Sequence, residues 1–299
     1  MPHKVAVASV TNGLGHAITS ALLDTADIDV VLLTRSSSPN TGFSKFTSRG
    51  AIVNSVDYSS IPNLTSVLDG VDTVISTMFT PNDPLPTLNL ITAAKTAGVR
   101  RFAPSEFASS TAGNARFDIY EFKRQIQSEL KRSGLEYTLF QNGIFMDYFA
   151  FGAPKPHEGP LKMFPYIVDI ASHKAIIPGT GDEKVTFTTV EDVGRFVAAA
   201  VKLERWPEEL GMAGETTTYN QVIRDAEAVT GRKFEVQYLD KGQITKAMEE
   251  SKGDPMKLFM AQAMDVLADG LGAVEPTLNR LVPHVTITSV KDYISKYWI

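Results

Sequence analysis

Short, mostly apolar runs alternate with amphipathic stretches through the first half of the chain, and this alternation restricts the fold more than any other feature. Apolar runs of this kind are typical of strands buried on both faces of a parallel sheet. Six such strands are expected, at Lys4–Ser9, Asp29–Thr34, Ala51–Ser55, Asp72–Ser76, Arg101–Ala103 and Tyr137–Phe140. Helical patterns lie between them, including Gly13–Asp24, Leu85–Ala97 and Ala115–Ser133. Because crossovers between parallel strands are right-handed, the pattern predicts a doubly wound α/β fold.

The pattern changes after about residue 150. Proline and glycine punctuate a loop-rich stretch, at Pro154, Pro156, Gly159, Pro160 and Pro165. Strands are then expected at Lys184–Thr188 and Lys233–Tyr238, and helices at Val190–Val201, Tyr219–Thr230, Gly242–Ser251, Met256–Met264 and Thr288–Trp298. We therefore expect a first domain over residues 1–150, to which 175–201 returns. Residues 151–299 are expected to form mainly a smaller, discontinuous C-terminal lobe.

Composition argues against several classes of protein. The chain of 299 residues has no cysteine, which excludes disulfides, thiolate zinc sites and thiol catalysis. A net charge of −5 argues against nucleic-acid binding, and no apolar stretch approaches the roughly 20 residues of a membrane span. No metal site is expected, because the five histidines are scattered: His3, His16, His157, His173 and His284. The N-terminus enters a strand directly, so we expect an unprocessed, cytoplasmic protein, with monomer and homodimer both open.

The segment Ser9–His16, after the first strand, has the layout of a phosphate-binding turn. A strand, a glycine turn and a helix together place backbone N–H groups against a pyrophosphate. The strict G-x-G-x-x-G spacing fails, whereas a G-x-x-G-x-x-G pattern puts Ser9, Asn12 and Gly15 at the glycine positions. Asparagine tolerates the left-handed conformation, and Ser9 adds a side chain at the tight turn. A dinucleotide is expected at Thr11, Asn12, Gly13, Leu14 and Gly15; the alternative is an ordinary turn without a ligand.

The end of the second strand indicates which dinucleotide would bind. Thr34–Ser38 contains no acidic residue where Asp or Glu would bind the ribose 2′-hydroxyl of NAD. Arg35 and the neighbouring hydroxyls suit a 2′-phosphate instead, because guanidinium pairs with phosphate in a forked geometry. Lys45 adds a second positive charge. The predicted cofactor is therefore NADPH on a Rossmann fold, the alternative being that both residues are solvated loop cations.

Several segments resemble a known family. Ala97–Phe107 (AGVRRFAPSEF) closely resembles the segment AGVKRF-PSEF of the NmrA-like family, and specifically its isoflavone reductase and phenylcoumaran benzylic ether reductase branch. Further markers are Asn142–Phe145, and Pro178–Gly181 ahead of Val193–Gly194. The resemblance covers most of the chain, is densest before residue 150, and departs from the family at the two non-glycine positions of the turn. It implies an atypical short-chain dehydrogenase/reductase that uses NADPH on aromatic or other small secondary metabolites.

The resemblance also implies a catalytic lysine. Phe117–Ile126 resembles the family's Lys-x-x-Ile segment, in which the lysine, here Lys123, is the general base or proton relay. On a helical wheel, Lys123 lies at the edge of an apolar stripe formed by Ile119, Phe122, Ile126 and Leu130. Partial burial would lower its pKa towards neutrality. The structural alternative is a lysine with its stem on the core and its head in solvent.

Tyr120 is the second candidate catalytic residue. It precedes Lys123 by three positions, so the two side chains can be neighbours on a helix. The usual short-chain dehydrogenase pair is Tyr-x-x-x-Lys, which is one residue longer, so this pair is absent as such. Tyr120 therefore either assists the lysine or packs in the core.

Four further positions are predicted to contact the cofactor. Thr77 and Met78 follow the fourth strand, Ser105 the fifth and Asn142 the sixth. Ligands of doubly wound sheets bind at these carboxyl ends, and the alternative is ordinary loop structure.

Three functions remain open from the sequence. The first is an NADPH-dependent reductase of a small, aromatic substrate, in which Lys123 moves the proton that unmasks an electrophilic carbon. The second is a non-catalytic, dinucleotide-binding redox sensor, and the third is an isomerase or cyclase on the same scaffold. The aromatic segments Phe145–Phe151 and Phe164–Tyr166 either line an apolar substrate pocket or form core between the domains.

Overall fold

The central sheet of the computed structural model contains six parallel strands. The structure describes residues 3–10, 13–35, 42–157, 159, 161 and 166–299. The strands are β1 (His3–Ala8), β2 (Ile28–Arg35), β3 (Ile52–Val56), β4 (Thr73–Ser76), β5 (Arg101–Ala103) and β6 (Glu136–Tyr137). Their order is β3-β2-β1-β4-β5-β6, so the predicted doubly wound Rossmann-type sheet is confirmed. The strand order reverses between β1 and β4, which is where such sheets bind dinucleotides.

Helices connect these strands. They are α1 (Gly13–Leu23), α2 (Ser44–Thr47), α3 (Ile61–Val67), α4 (Leu85–Thr96), α5 (Thr111–Asn114) and α6 (Glu121–Ser133), with 3₁₀ turns at Asp118–Tyr120 and Met146–Ala150. Apolar residues of the strands face helices on both sides, and Val5, Val7, Ala6 and Ala8 of β1 are all fully buried. Burial on both faces explains why the strands are nearly continuous apolar runs.

The remaining residues that the structure describes form three smaller sheets and six helices. The strands are β7 (Leu139–Gln141), β8 (Ile144–Phe145), β9 (Val168–Asp169), β10 (Lys174–Pro178), β11 (Lys184–Thr188), β12 (Glu209–Gly211), β13 (Glu215–Thr218) and β14 (Glu235–Leu239). The helices are α7 (Val190–Val201), α8 (Tyr219–Thr230), α9 (Lys241–Glu250), α10 (Pro255–Ala268), α11 (Thr277–Leu281) and α12 (Val290–Trp298). The sheets have the orders β14-β10-β9, β13-β11-β8 and β12-β7. Strands from distant parts of the chain are therefore interleaved.

The helix expected over Ala115–Ser133 is shorter than predicted. α6 begins at Glu121, after a 3₁₀ turn at Asp118–Tyr120. The backbone N–H of Asp118 donates to the side chain of Gln262, at 3.1 Å, instead of to a carbonyl one helical turn earlier. A tertiary contact thus replaces the hydrogen bond that would have extended the helix towards its N-terminus.

The sixth predicted strand, Tyr137–Phe140, is two strands. β6 ends the central sheet at Tyr137, and β7 pairs instead with β12, in parallel. Thr138, between them, still donates its backbone N–H to Phe102, whereas Leu139 donates to Glu208. Residues 137–140 are all buried, so the apolar sequence continues without a break. It therefore gives no sign of the point where the pairing partner changes.

α7 packs closely against α1. Thr189 accepts a hydrogen bond from the backbone N–H of Asp192, at 2.9 Å, and so caps the start of α7. A Cβ atom on Gly194 would lie 2.7 Å from the carbonyl oxygen of Ala17, so glycine is required at this crossing. Ile18 and Val193 are fully buried in the same cluster. α7 thereby covers one face of the central sheet.

Among the described residues, no helix combines the length and the apolar character that crossing a membrane requires.

Candidate active site

The turn after β1 follows the path of a glycine-rich turn without its first glycine. Ser9 adopts a φ of +69°, in the left-handed region that glycine reaches without steric cost. A serine thus holds the conformation that the motif assigns to its first glycine. Thr11 and Asn12 lie outside the described residues.

Gly15 occupies the crowded position of the turn. A Cβ atom there would lie 2.3 Å from the carbonyl oxygen of Ser9 and 2.7 Å from the Thr77 hydroxyl. This close approach is the role of the last glycine in dinucleotide-binding turns. Gly13 and Leu14 open α1, and first-turn N–H groups have no acceptor within their own helix. The Leu14 side chain is buried in the core, so its N–H is the group suited to a phosphate.

Thr77 contacts the turn itself. Its side chain is buried, and its hydroxyl lies 2.7 Å from the carbonyl oxygen of Ser9 and 3.1 Å from that of Ala8. Its backbone N–H also donates to Ala8. Thr77 therefore stabilises the turn, and its predicted contact with the cofactor stays a prediction.

A groove of about 270 Å³ lies at the carboxyl ends of β1, β2 and β4. The three strand ends contribute Ser9, Val10, Thr34, Arg35, Met78 and Phe79 to its walls. Arg35 is the last residue of β2 and is exposed. Lys45 is exposed on α2 with its ammonium 5.6 Å from the centre of the Phe46 ring, and it does not line the groove. Ser36–Ser38 lie outside the described residues.

A second groove, of about 690 Å³, is larger but lies elsewhere. It is lined by residues of α1 and α7 and by residues 284–286. None of the predicted site residues that the structure describes lines it. We therefore place the candidate site at the smaller groove, where the strand ends converge.

Lys123 is buried, contrary to the structural alternative of a lysine with its head in solvent. Only 6% of it is exposed, and its ammonium donates to the backbone carbonyl oxygen of Glu106. The nitrogen also lies 4.1 Å from the centre of the Tyr120 ring, within the range of a cation–π interaction. Burial lowers the pKa of Lys123, and the negative charge of Glu106 partly opposes this effect. A lysine in this setting is suited to proton transfer.

Tyr120 ends the 3₁₀ turn and meets Lys123 across the junction with α6. Its ring centre lies 4.9 Å from that of Phe117 and 6.0 Å from that of Phe259 on α10. Burial raises the pKa of the Tyr120 phenol, and the nearby charge of Glu106 raises it further. The phenol therefore stays protonated at neutral pH and is a hydrogen-bond donor rather than a base.

Glu106 follows the fifth strand beside Ser105, and its contact with Lys123 was not predicted from the sequence. It is 2% exposed, and its two carboxylate oxygens accept hydrogen bonds from Asn114, at 2.6 Å, and from Gln127, at 3.0 Å. Gln127 lies one helical turn beyond Lys123 on α6. The available signal was its position within the segment that resembles the NmrA-like family, next to Ser105.

The two remaining predicted cofactor contacts are Ser105, which directly precedes Glu106, and Asn142, which directly follows β7. Ser105 is partly buried at the centre of a three-residue turn, closed by a hydrogen bond of 2.8 Å from Glu106 to the carbonyl of Pro104. Asn142 is fully buried at the end of β7, where its amide nitrogen contacts the carbonyl of Gly143 at 3.2 Å. Its amide oxygen has no hydrogen-bond partner among the described residues. Among the described residues, neither side chain forms a hydrogen bond with Lys123.

Aromatic side chains surround the catalytic candidates. The ring centres of Phe145 and Tyr148 are 6.3 Å apart, and those of Tyr148 and Tyr166 are 6.0 Å apart. Burial, with a contribution from Asp147, raises the pKa of Tyr148 to about 12. Tyr148 and Tyr166 also contribute to the raised pKa of Tyr120, so these phenols share one region. Phe164 and Pro165 of the second predicted aromatic segment lie outside the described residues.

Phe79 connects the groove to the lysine-bearing helix. Its side chain lines the groove and is 55% exposed. Its ring meets that of Phe122 edge-on, with the centres 5.4 Å apart. Phe122 directly precedes Lys123 on α6, so the groove reaches the helix that carries the lysine.

Comparison with known proteins gives matches over most of the chain. Oxidoreductase BOA1 of Botryotinia fuckeliana (strain B05.10) is 31% identical over 249 residues, which are 77% of each chain. Phenylcoumaran benzylic ether reductase TP7 of Nicotiana tabacum is 28% identical over 251 residues, covering 79% of this chain and 78% of that protein. The binary complex of leucoanthocyanidin reductase with NADPH from Vitis vinifera has the same fold, with a TM-score of 0.79 and 20% identity over 98% of this chain and 99% of that one.

The family comparison covers nearly the full length. The sequence model of the NmrA-like family matches residues 1–293, which include the turn, the groove and Lys123. The resemblance first drawn from Ala97–Phe107 is thereby confirmed, and the chain belongs to the NmrA-like family.

Proposed function

We propose that this chain is an NADPH-dependent reductase that transfers a hydride to a small aromatic secondary metabolite, with Lys123 as the general base or proton relay. The observation that carries the proposal is the buried ammonium of Lys123, held between the Glu106 carbonyl and the Tyr120 ring beside the strand-end groove. The reductase and oxidoreductase names of its relatives support this function.

The described residues fit NADPH. Gly13 and Leu14 offer the N-terminus of α1 to the pyrophosphate, and Gly15 allows the close approach of helix and strand. Arg35, exposed at the groove, suits the 2′-phosphate, and Lys45 adds positive charge on the neighbouring α2. When bound, NADPH supplies the hydride.

The protein's own contribution is proton transfer and placement. In its neutral form, Lys123 accepts the proton whose removal makes a substrate carbon electrophilic, by tautomerisation or by loss of a leaving group. The protonated phenol of Tyr120 is suited to donate a hydrogen bond to the substrate. Phe145, Tyr148 and Phe259 offer apolar walls to an aromatic ring and limit the access of water. A redox sensor needs no buried proton-transfer group, so Lys123 favours the reductase.

The experiment that tests the proposal compares wild type with Lys123→Met. Both are titrated with NADPH and NADH, followed by nicotinamide fluorescence, and then assayed with NADPH on a panel of aromatic metabolites. We expect NADPH to bind about ten- to hundredfold more tightly than NADH, because of the charge-assisted contact with Arg35. Lys123→Met should bind NADPH normally and lose about a hundredfold or more in kcat, as removal of a general base does.

Lys131→Met is the matched control, because Lys131 is exposed on the same helix and lies outside the site. It should retain full turnover. Turnover by Lys123→Met at the wild-type rate would refute the catalytic role of the lysine. Equal affinity for NADH and NADPH would refute the role of Arg35.

A further inference from the structure

We propose that Glu106 is a positioning residue for Lys123: its main-chain oxygen anchors the ammonium, and its buried carboxylate supplies the charge that offsets the cost of burying that ammonium. The inference rests on the proposed function of Lys123. Each of the two roles has its own contacts in the structure.

The first role depends on the backbone around Glu106. The hydrogen bond from the backbone N–H of Glu106 to the carbonyl of Pro104 folds the chain back on itself, and the carbonyl oxygen of Glu106 itself accepts from Lys123. Phe107 follows with a φ of +26°, which is rare and strained for a bulky residue. Its ring stacks on that of Phe140, with the centres 5.7 Å apart. Packing therefore holds this conformation, and with it the acceptor for Lys123.

The second role depends on the state of the Glu106 carboxylate. Both of its oxygens accept from side-chain amide N–H groups, one from Asn114 and one from Gln127. Both oxygens act only as acceptors in these contacts, which is the hydrogen-bonding pattern of an ionised carboxylate. The side chain is almost fully buried, so water screens its charge little. A fixed negative charge thus lies close to the buried lysine.

Other titratable groups around Lys123 do not replace this charge. Tyr120 contacts the ammonium through its ring, and Tyr148 and Tyr166 act on Tyr120 in turn. All three phenols have a pKa above the ordinary value and are neutral near pH 7. On α6 itself, Glu121 and Arg124 pair with each other, 2.8 Å apart, on the exposed side. Among the described residues, Glu106 is the charged group whose field acts on Lys123.

The charge of Glu106 should influence the pH dependence of activity through the pKa of Lys123. A base must be deprotonated to act, so activity rises with pH through the pKa of Lys123. The charge of Glu106 favours the protonated lysine and raises that pKa above the value that burial alone would set. Removal of the charge should therefore move the acid limb of the pH–rate profile to lower pH.

The experiment is the pH dependence of kcat/KM for Glu106→Gln. This change keeps the shape and the main-chain oxygen of residue 106, and the amide of Gln127 can rotate to accept from the new NH₂ group. We expect the acid limb to move down by about one pH unit, at the low end of the range for loss of a nearby opposite charge. A parallel readout without turnover is the NMR titration of ¹³C-methylated lysines, in which Lys123 is identified by its absence in Lys123→Met.

Glu121→Gln is the matched control. Like Glu106→Gln, it removes one negative charge, here on α6 two residues from Lys123, but from a side chain that is 61% exposed. Its acid limb should coincide with that of the wild type. An unmoved limb in folded Glu106→Gln, with only kcat or stability reduced, would make Glu106 a structural residue and overturn the inference. Wild-type turnover by Lys123→Met would instead overturn the proposed function on which it rests.

Discussion

Ser9 carries a side chain in a conformation that suits glycine better. Its φ of +69° places the β-carbon close to its own carbonyl group, which costs roughly 1–2 kcal/mol relative to the right-handed region. The contacts of Thr77 with Ser9 and Ala8 hold the turn in this shape. The protein thus keeps the path of the turn with a residue that is strained in it.

Ser9→Gly should therefore stabilise the protein. Relief of the strain outweighs the greater flexibility of glycine in the unfolded chain, and we expect the free energy of unfolding to rise by about 0.5–1 kcal/mol. Urea denaturation of the purified protein measures this change. Ser128→Gly, an exposed helical position on α6, is the control and should lower stability by about 0.5 kcal/mol. A fall in stability with Ser9→Gly would show that the serine side chain contributes more than its strain costs.

At the scale of residues, sequence patterns identified the lysine but not its surroundings. A helical wheel placed Lys123 at the edge of an apolar stripe, and that position predicts either a solvated or a buried ammonium. The choice depends on Glu106, which lies 17 residues earlier in the chain and meets Lys123 through its backbone oxygen. Every residue has a backbone carbonyl oxygen, so the residue type does not reveal which of them accepts from the lysine. The hydrogen bonds of Asn114 and Gln127 to the Glu106 carboxylate could not be predicted either, because both residue types are common on solvated surfaces.

At the scale of elements, α10 is held to the segment that precedes the lysine-bearing helix. Asp265, on α10, accepts from Arg116 and from Lys241, which opens α9. Asp269 pairs with the same two cations. Phe259 of α10 then packs against Tyr120. These ion pairs therefore join two helices of the C-terminal lobe to the wall of the candidate site.

Asp265→Asn should loosen this wall. It removes the less exposed of the two carboxylates and leaves Arg116 and Lys241 with Asp269 alone, so amide hydrogen exchange in α9 and α10 should be about tenfold faster. KM for the substrate should rise several-fold, while NADPH affinity stays unchanged because the groove lies elsewhere.

The control for this change is Glu250→Gln, which breaks an exposed pair with Lys246 on α9. Exposed pairs of this kind contribute little, so exchange rates should not change. Unaltered exchange in Asp265→Asn as well would mean that apolar packing alone holds α10.

The accuracy of the predicted elements depended on local signals. The bounds of α7 and α8 were predicted to the residue, because Thr189 and Thr218 cap them through their own side chains. The start of α6 was wrong, because its position is decided by the distant Gln262. A capping hydrogen bond joins residues that are close in the sequence, so local patterns can predict it. A tertiary hydrogen bond joins distant residues, and local patterns do not show it.

At the scale of the whole molecule, the alternation of strands and helices predicted the central sheet, and a return of residues 175–201 to the first domain was also expected. The strand pairings that join the two halves of the chain were not predicted. β7 pairs with β12 and β8 pairs with β11, across separations of tens of residues. Pairings of this kind have no signature in periodicity, since each strand is too short to show one. A division at residue 150 separates β8 from β11 and α1 from α7.

We therefore expect residues 1–150 alone not to fold cooperatively. Without α7, the fully buried Ile18 on α1 loses its cover, and apolar area becomes exposed to water. Urea denaturation of the fragment should show no sigmoidal transition, and the fragment should not bind NADPH. Coexpression with residues 151–299 is the control and should restore both properties. A cooperative transition in the isolated fragment would establish it as an autonomous domain.

The crossing of α1 and α7 has a consequence for how this protein can diversify. Gly194 leaves no room for a methyl group against Ala17, so the two helices meet backbone to backbone and tolerate almost no change in size there. A mutational library aimed at new substrates would lose most of its members if it included this crossing. The same library placed at Phe259 on α10 would meet the rings of Phe117 and Tyr120, and side chains can exchange volume with their neighbours. Room for new substrate specificity therefore lies on α10 rather than at the crossing of α1 and α7.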